Sequence, residues 1–93
     1  MEITDVRVSL RDEDKLKAFV TVTFDDCFVV RGVKVIAGHQ GLFVAMPSRR
    51  KADGEFQDVA HPIHQGMRDR LEKAVLAAYH LAAEEHSLDS TAG

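Results

Sequence analysis

The sequence predicts an α+β fold, a curved antiparallel β-sheet of four to five strands with one long C-terminal helix packed on it. Three observations predict it. Up to Met46 apolar residues alternate with polar ones, the period-2 signature of strands with one buried face. The breaks between these runs are short and polar, of hairpin length, which favours an antiparallel meander over a parallel sheet. From Gln65 the apolar spacing changes to three and four residues, the period of a helix with one apolar stripe.

The elements follow in order. Val6, Val8 and Leu10 alternate with Asp5, Arg7 and Ser9, and Arg11-Asp12-Glu13-Asp14-Lys15 is a polar turn. Over residues 16–24, Leu16, Ala18, Val20, Val22 and Phe24 share one face, with Lys17, Thr21 and Thr23 on the other. Asp25-Asp26 suits a hairpin turn. The β-branched run from Phe28 to Ile36 places Val29, Val33 and Val35 on one side, and Gly38-His39-Gln40-Gly41 is a second turn. Leu42 to Met46 is a short strand stopped by Pro47, which cannot donate to a ladder. Residues 47–64 read as irregular, with a turn at Asp53-Gly54 and a short edge strand in Glu55–Ala60.

The helix is expected from Gln65 to about Glu85. Met67, Leu71, Ala74, Val75, Ala78 and Ala82 form its stripe, and Leu76 and Tyr79 widen it. The segment lacks proline and is rich in good helix formers, enough for about five turns. Residues 1–85 read as a single domain and 86–93 as a flexible tail, because the chain's end is small and polar. A chain of 93 residues buries roughly 60–65% of the surface its unfolded form exposes. A second copy, by extending the sheet or packing two faces, would cover what one helix leaves open.

Composition narrows the class. No apolar run approaches the roughly 18–20 residues that span a bilayer. The start Met1-Glu2-Ile3-Thr4-Asp5 has no signal-peptide pattern, and Cys27 is the only cysteine. These features point to the reducing cytoplasm. The net charge of −3 is unevenly placed: residues 31–73 hold eight Lys or Arg against five Asp or Glu, while the segments on either side are acidic. Screening limits surface charges to about 8–10 Å, so a local basic face can bind phosphate on an acidic protein.

Catalytic and metal signatures are weak. Asp58, His61 and His64 recur at three-residue spacing, but a zinc site needs three or four ligands of fixed geometry, and the expected reading is a His-Pro that shapes the helix entry. Ser48 lacks a nucleophile elbow, and no glycine-rich phosphate loop precedes the helix. No enzyme, no metal, no cofactor and no small-molecule substrate are expected. The basic groups say more. Arg49, Arg50 and Lys51 form a positive run in what reads as a loop leaving the sheet, and Arg70, Lys73 and His80 share the helix side away from Met67, Leu71 and Val75, with Arg68 at the same end. Arginine holds phosphate bidentately and reads guanine edges in the major groove. Arg68–Glu72 and Asp69–Lys73 could equally be surface ion pairs of about 0.3–0.5 kcal/mol each. Phe19, Phe28, Phe43 and Phe56 read as core residues rather than as a base-stacking platform.

The stretch Gly41-Leu42-Phe43-Val44-Ala45-Met46-Pro47-Ser48-Arg49-Arg50, followed by Asp53-Gly54-Glu55-Phe56 and Asp58-Val59-Ala60-His61-Pro62-Ile63, strongly resembles the SpoVG family (stage V sporulation protein G, septation regulator). Ile3-Thr4-Asp5-Val6-Arg7-Val8 and Phe28-Val29-Val30 with Val33-Lys34-Val35-Ile36 resemble it too, so the likeness runs from about residue 2 to residue 80. It implies a dimeric α+β domain that binds DNA, with RNA binding also described. It further implies influence on division septum formation, on the spore cortex in spore formers, and on capsule or virulence genes in pathogens. By position it puts the family's basic loop on Arg49, Arg50 and Lys51 and its variable helix start, with Arg68 and Arg70, on Gln65 to Leu71; the recognition role is carried to these and extended to Lys73. The family's helix start often carries Asn, Ser or Asp; here it reads His64-Gln65-Gly66-Met67, so the preferred target is expected to differ. The competing expectation is a protein-interaction module of the division or signalling machinery that captures a partner strand at an exposed sheet edge.

Overall fold

The computed structural model describes the backbone of residues 1–92 and the side chains of residues 1–86. The elements are β1 (Ile3–Leu10), β2 (Leu16–Phe24), β3 (Phe28–Gly38), β4 (Gly41–Ala45), β5 (Ser48–Arg50), β6 (Phe56–Asp58) and α1 (Gln65–Ala92). The first four make one antiparallel sheet in the order β1-β2-β3-β4, and β5 and β6 form a separate two-stranded ribbon. The fold is therefore α+β, as expected, with four strands in the main sheet, within the expected four to five. α1 continues past Glu85, in a stretch with neither glycine nor proline to stop it before Gly93. The side chains of 87–92, and all of Gly93, lie outside the described residues; the segment 86–93, read from sequence as a flexible tail, has a helical backbone as far as Ala92.

The core is the face of the sheet under α1. Ala18, Val20, Val22 and Phe24 of β2, Val33 and Val35 of β3, and Val44 with Met46 are buried together with Leu71 and Val75 of the helix. Ile3, Val6, Val8 and Leu10 of β1, with Met67, Leu76 and Tyr79 of α1, close its margin half-buried. β2 and β3 carry the strongest alternation because each is flanked by strands on both sides, and small β-branched residues pack well on a pleated surface. The core-facing helical residues recur at 67, 71 and 75, so one face of the N-terminal half of α1 is committed to the sheet and the opposite face to water.

Three irregularities in register decide which side chains face which way. Val20 pairs with Val33 but Val22 with Val30, so β3 holds one extra residue opposite Thr21. Gly32 sits in this bulge with φ of 83°, a left-handed conformation that costs glycine little. The extra residue reverses the parity of the strand. Val30 joins Val33 and Val35 on the core side, and Val29, expected there, is exposed. A second shift lies between Leu16 and Ala18 and puts Leu16 opposite Ile36. Directly opposed residues share a face, so Leu16 leaves the core row and stands with Ile36. A third shift lies near the start of β1, between Ile3 and Asp5.

The β2–β3 turn uses Asp25 and Asp26, both with positive φ (50° and 54°). Aspartate tolerates this region better than most residues because its short side chain bonds nearby backbone. Here Asp25 Oδ1 accepts from the Glu2 amide at 2.8 Å, and the Asp26 amide donates to Thr4 Oγ1 at 2.9 Å. The hairpin tip is thereby tied to the beginning of β1.

Candidate nucleic-acid interface

Arg49 and Arg50 lie on a strand, not in the loop that their composition suggests. Pro47 ends β4's sheet pairing, and Ser48–Arg50 then pairs with Phe56–Asp58 in the register Ser48↔Asp58, Arg49↔Gln57 and Arg50↔Phe56. The turn between them is closed by Lys51 N to Glu55 O at 2.7 Å, Gly54 N to Lys51 O at 3.0 Å and Glu55 N to Asp53 Oδ1 at 3.0 Å. Asp53-Gly54 is the turn signal that the sequence carries, and Gly54 supplies a φ of 90°. Strand geometry has a direct consequence: successive side chains alternate sides, so Arg50, beside Phe56, and Arg49, beside Gln57, lie on opposite faces of the ribbon. All three cations are exposed. Lys51 reaches Asp53 at 3.8 Å, whereas Arg49 and Arg50 have no carboxylate within 4 Å among the described residues. The ribbon as a whole also holds Asp53, Glu55 and Asp58, so its positive potential is local to the arginines.

On the helix, Arg70, Lys73 and His80 are exposed and Arg68 is half-buried beside the core stripe. Neither Arg68–Glu72 nor Asp69–Lys73 forms an ion pair among the described residues. Asp69 instead accepts from Gln65 Nε2 at 2.8 Å, and Arg70 Nη2 donates to the Met67 sulfur at 3.3 Å. The helix cations are thus available to an external anion. Among the described residues no hydrogen bond or ion pair joins them to Arg49–Lys51; the structure places the two groups on separate elements.

Asp58 is in β6, while His61 and His64 lie between the ribbon and the helix, His61 Nδ1 being 3.1 Å from the carbonyl oxygen of Pro62. Among the described residues no group of three or more His, Cys, Asp or Glu is placed to hold a metal ion, and no polar or charged side chain is buried. Ser48 lies in β5, and no helix among the described residues is long and apolar enough to cross a membrane.

The aromatic residues depart most from expectation. Of Phe19, Phe28, Phe43 and Phe56, all expected in the core, none is buried: Phe56 is 71% exposed, Phe28 61% and Phe43 49%, with Phe19 intermediate. Phe24 alone of the phenylalanines is in the core. Phe19 and Phe43 sit at positions of β2 and β4 that face away from the helix, and Phe56 is on the ribbon; strand parity, read without the sheet's one-sided cover, does not separate such positions from core. A different apolar area lies at the other end of the sheet. Met1, Phe24, Phe28, Val30, Met46, Ala60, His61, Pro62, Met67 and Leu71 line a hollow of about 160 Å³, flanked in sequence by Val59 and by Ile63, which is 94% exposed.

Comparison with known proteins places these features in a family. The SpoVG family model matches residues 1–81. The chain belongs to the SpoVG family. A relative from an Anaeromyxobacter species is 58% identical over 79 residues, which cover 85% of this chain and 81% of the relative. One from Caldanaerobacter subterraneus is 56% identical over 88 residues, 94% and 97% of the two chains, and one from Clostridioides difficile is 59% identical over 83 residues, 88% and 90%. All three carry the name "Putative septation protein SpoVG". The SpoVG match takes in the sheet, the ribbon and the first half of α1, and so includes all six candidate cations.

Proposed function

We propose that this SpoVG protein is a homodimeric, non-catalytic regulator that binds DNA, and RNA as well, in the cytoplasm, and that influences division septum formation and gene expression, with sporulation added only in spore formers. The septation role follows the names of its relatives. The observation that carries the nucleic-acid part is the ribbon: a two-stranded element off the main sheet, with Arg49 and Arg50 exposed and unpaired among the described residues. A major groove admits either a two-stranded ribbon or a helix, and the exposed Arg70 and Lys73, with Arg68, offer cations on the second kind of element. In this reading Arg49, Arg50 and Lys51 hold phosphates and position the protein. Arg68, Arg70 and Lys73 act at groove edges and set preference among sequences.

Duplex binding measured by fluorescence anisotropy at several salt concentrations tests it. Neutralising Arg49 and Arg50 is expected to weaken binding to all duplexes alike, and changes at Arg68 or Arg70 to alter the ranking of sequences. Equal affinity for wild type and the Arg49/Arg50 double variant at low salt would overturn the assignment.

A protein-partner reading has its own observation, the exposed Val59 and Ile63 beside a largely apolar hollow, and the dimer proposed above would use the same area. Light scattering of Ile63→Asp distinguishes the two: a drop from dimer to monomer mass assigns the area to a second copy. An unchanged dimer that loses a division partner in a pull-down assigns it to another protein.

A further inference from the structure

One face of the four-stranded sheet packs on α1; the other is uncovered among the described residues, and its composition is not that of an idle solvent face. Register defines it. Phe43 stands opposite Ile36, and Ile36 opposite Leu16; in the neighbouring row Ser9, Phe19, Lys34 and Ala45 are aligned across all four strands. The face therefore presents two phenylalanine rings among aliphatic neighbours with a lysine between them. Phe19 and Phe43 are two strands and one pleat repeat apart, roughly 12 Å from the strand spacing and rise.

We infer that this open sheet face is a binding surface for single-stranded nucleic acid, which stacks bases on Phe43 and Phe19 and sets phosphates against Lys34 and Arg11. The inference rests on the nucleic-acid reading above and extends it to a second surface with a different ligand, unpaired bases rather than duplex.

Phe43 is half open to solvent. Its ring leans over Gly38, where an added Cβ would come within 3.0 Å of a ring carbon, so the missing side chain lets the ring lie across the neighbouring strand. Phe19 already holds a planar cation: the Arg11 guanidinium is 5.2 Å from its ring centroid, the geometry of a cation–π contact. That contact shows the ring already stacked by a flat cation; a base arriving there takes the guanidinium's place and leaves Arg11 beside it to meet a phosphate.

Charge complementarity favours this ligand over a second apolar surface. Lys34 lies in the middle of the patch with no carboxylate within 4 Å among the described residues. Asp5, a strand carboxylate on the same side, is already taken by Arg7 at 2.9 Å. At the rim beside Ile36 and Phe43 stand one acidic and one basic residue, Asp14 and Lys15. A second copy packed face to face would bury Lys34 against its own equivalent, and an unpaired buried charge is costly. Sheets that present aromatic rings and cations on an open face recognise single strands because every base has a π-face.

The test uses Phe43, since the chain contains no tryptophan. Phe43→Trp introduces a single reporter that keeps a stacking ring, and Phe43→Leu keeps apolar bulk without one. Labelled single-stranded RNA and DNA of one mixed sequence, and a duplex of that sequence, are titrated with wild type and both variants. Circular dichroism melting confirms that each is folded. Expected are single-strand binding by wild type, saturable quenching of the indole fluorescence in Phe43→Trp, and a loss of about 5- to 150-fold in single-strand affinity for Phe43→Leu with duplex affinity unchanged. Stronger binding of RNA than of DNA would assign a role to the 2′-hydroxyl, and equal binding would assign recognition to bases and phosphates alone; either outcome supports the surface.

Single-strand binding that neither quenches the reporter nor weakens in Phe43→Leu overturns the inference. So does a change in oligomeric mass in Phe43→Leu with binding intact, because the face would then belong to a second copy. Wild type that binds duplex but no single strand overturns this inference and leaves the duplex-DNA part of the proposed function standing. Single-strand binding lost in Phe43→Leu, with no duplex binding by wild type, does the reverse.

Discussion

Replacing Arg49 and Arg50 by glutamine, singly and together, separates phosphate contact from bystander charge. Each phosphate neutralised on B-DNA contributes about 0.9 to the negative slope of log affinity against log salt. One lost contact therefore lowers affinity about eightfold at 0.1 M salt and little near 1 M, and flattens the response between 50 and 200 mM by about 3.5-fold. The structure adds a geometric condition. Arg49 pairs beside Gln57 and Arg50 beside Phe56, so the two guanidiniums leave opposite faces of the ribbon. A duplex lying against one face meets one of them, and a ribbon inserted edgewise into a groove meets both walls and therefore both arginines. The slope should fall by about 0.9 in the double variant for the first arrangement and by about 1.8 for the second. Both residues are exposed, so stability should change by no more than about 0.5 kcal/mol, and urea unfolding checks this. Anisotropy titrations on a mixed duplex at four or five salt concentrations supply the slope. A slope equal to that of wild type in the double variant would refute the reasoning, since an unchanged counterion release means that neither arginine touches phosphate.

Gly32→Ala should destabilise by about 1 kcal/mol or more, because its φ of 83° disfavours any Cβ and the new atom would sit 3.4 Å from the Pro47 side chain; a urea midpoint equal to that of wild type would contradict the bulge. Leu71→Ala should cost about 2–5 kcal/mol, since the side chain is almost wholly buried against the sheet. Leu81→Ala, on the exposed side of the same helix, should stay within about 0.5 kcal/mol, so thermal melting of the pair tests which face of α1 is docked. Asp25→Ala should cost about 1–2 kcal/mol by removing the acceptor for the Glu2 amide and leaving alanine at positive φ. Hydrogen exchange should then show earlier opening of the start of β1 than of β3.

Much of this molecule was legible in its residues. The four strands of the sheet and the start of the helix lie where periodicity places them, because a strand or helix with one buried side must repeat its apolar residues at the period of its own backbone. The hairpin at Asp25-Asp26 and the turn at Asp53-Gly54 were legible for a local reason, since few residue types accept the dihedral angles such turns need. The six candidate cations could be named from composition and from the SpoVG resemblance, and Arg70 and Lys73 are exposed where the helical spacing puts them. Which residues occupy the core of a strand was less legible. Val29 and Leu16 fit the apolar alternation and yet leave the core row, because a single extra residue in a bulge inverts every side chain beyond it.

The sequence by itself determined the fold class, the positions of the sheet strands, the helix and the turns, and the family, all of which depend on local backbone preferences or on the order of residues. Only the tertiary structure decided that Ser48–Arg50 pairs with Phe56–Asp58 and so sends Arg49 and Arg50 to opposite sides. It also decided that one helix covers one face of the sheet and leaves Phe19 and Phe43 on the other. An apolar residue in a strand carries no mark of which face will be covered. That depends on where a helix many residues away comes to rest, and its packing is a property of the whole chain.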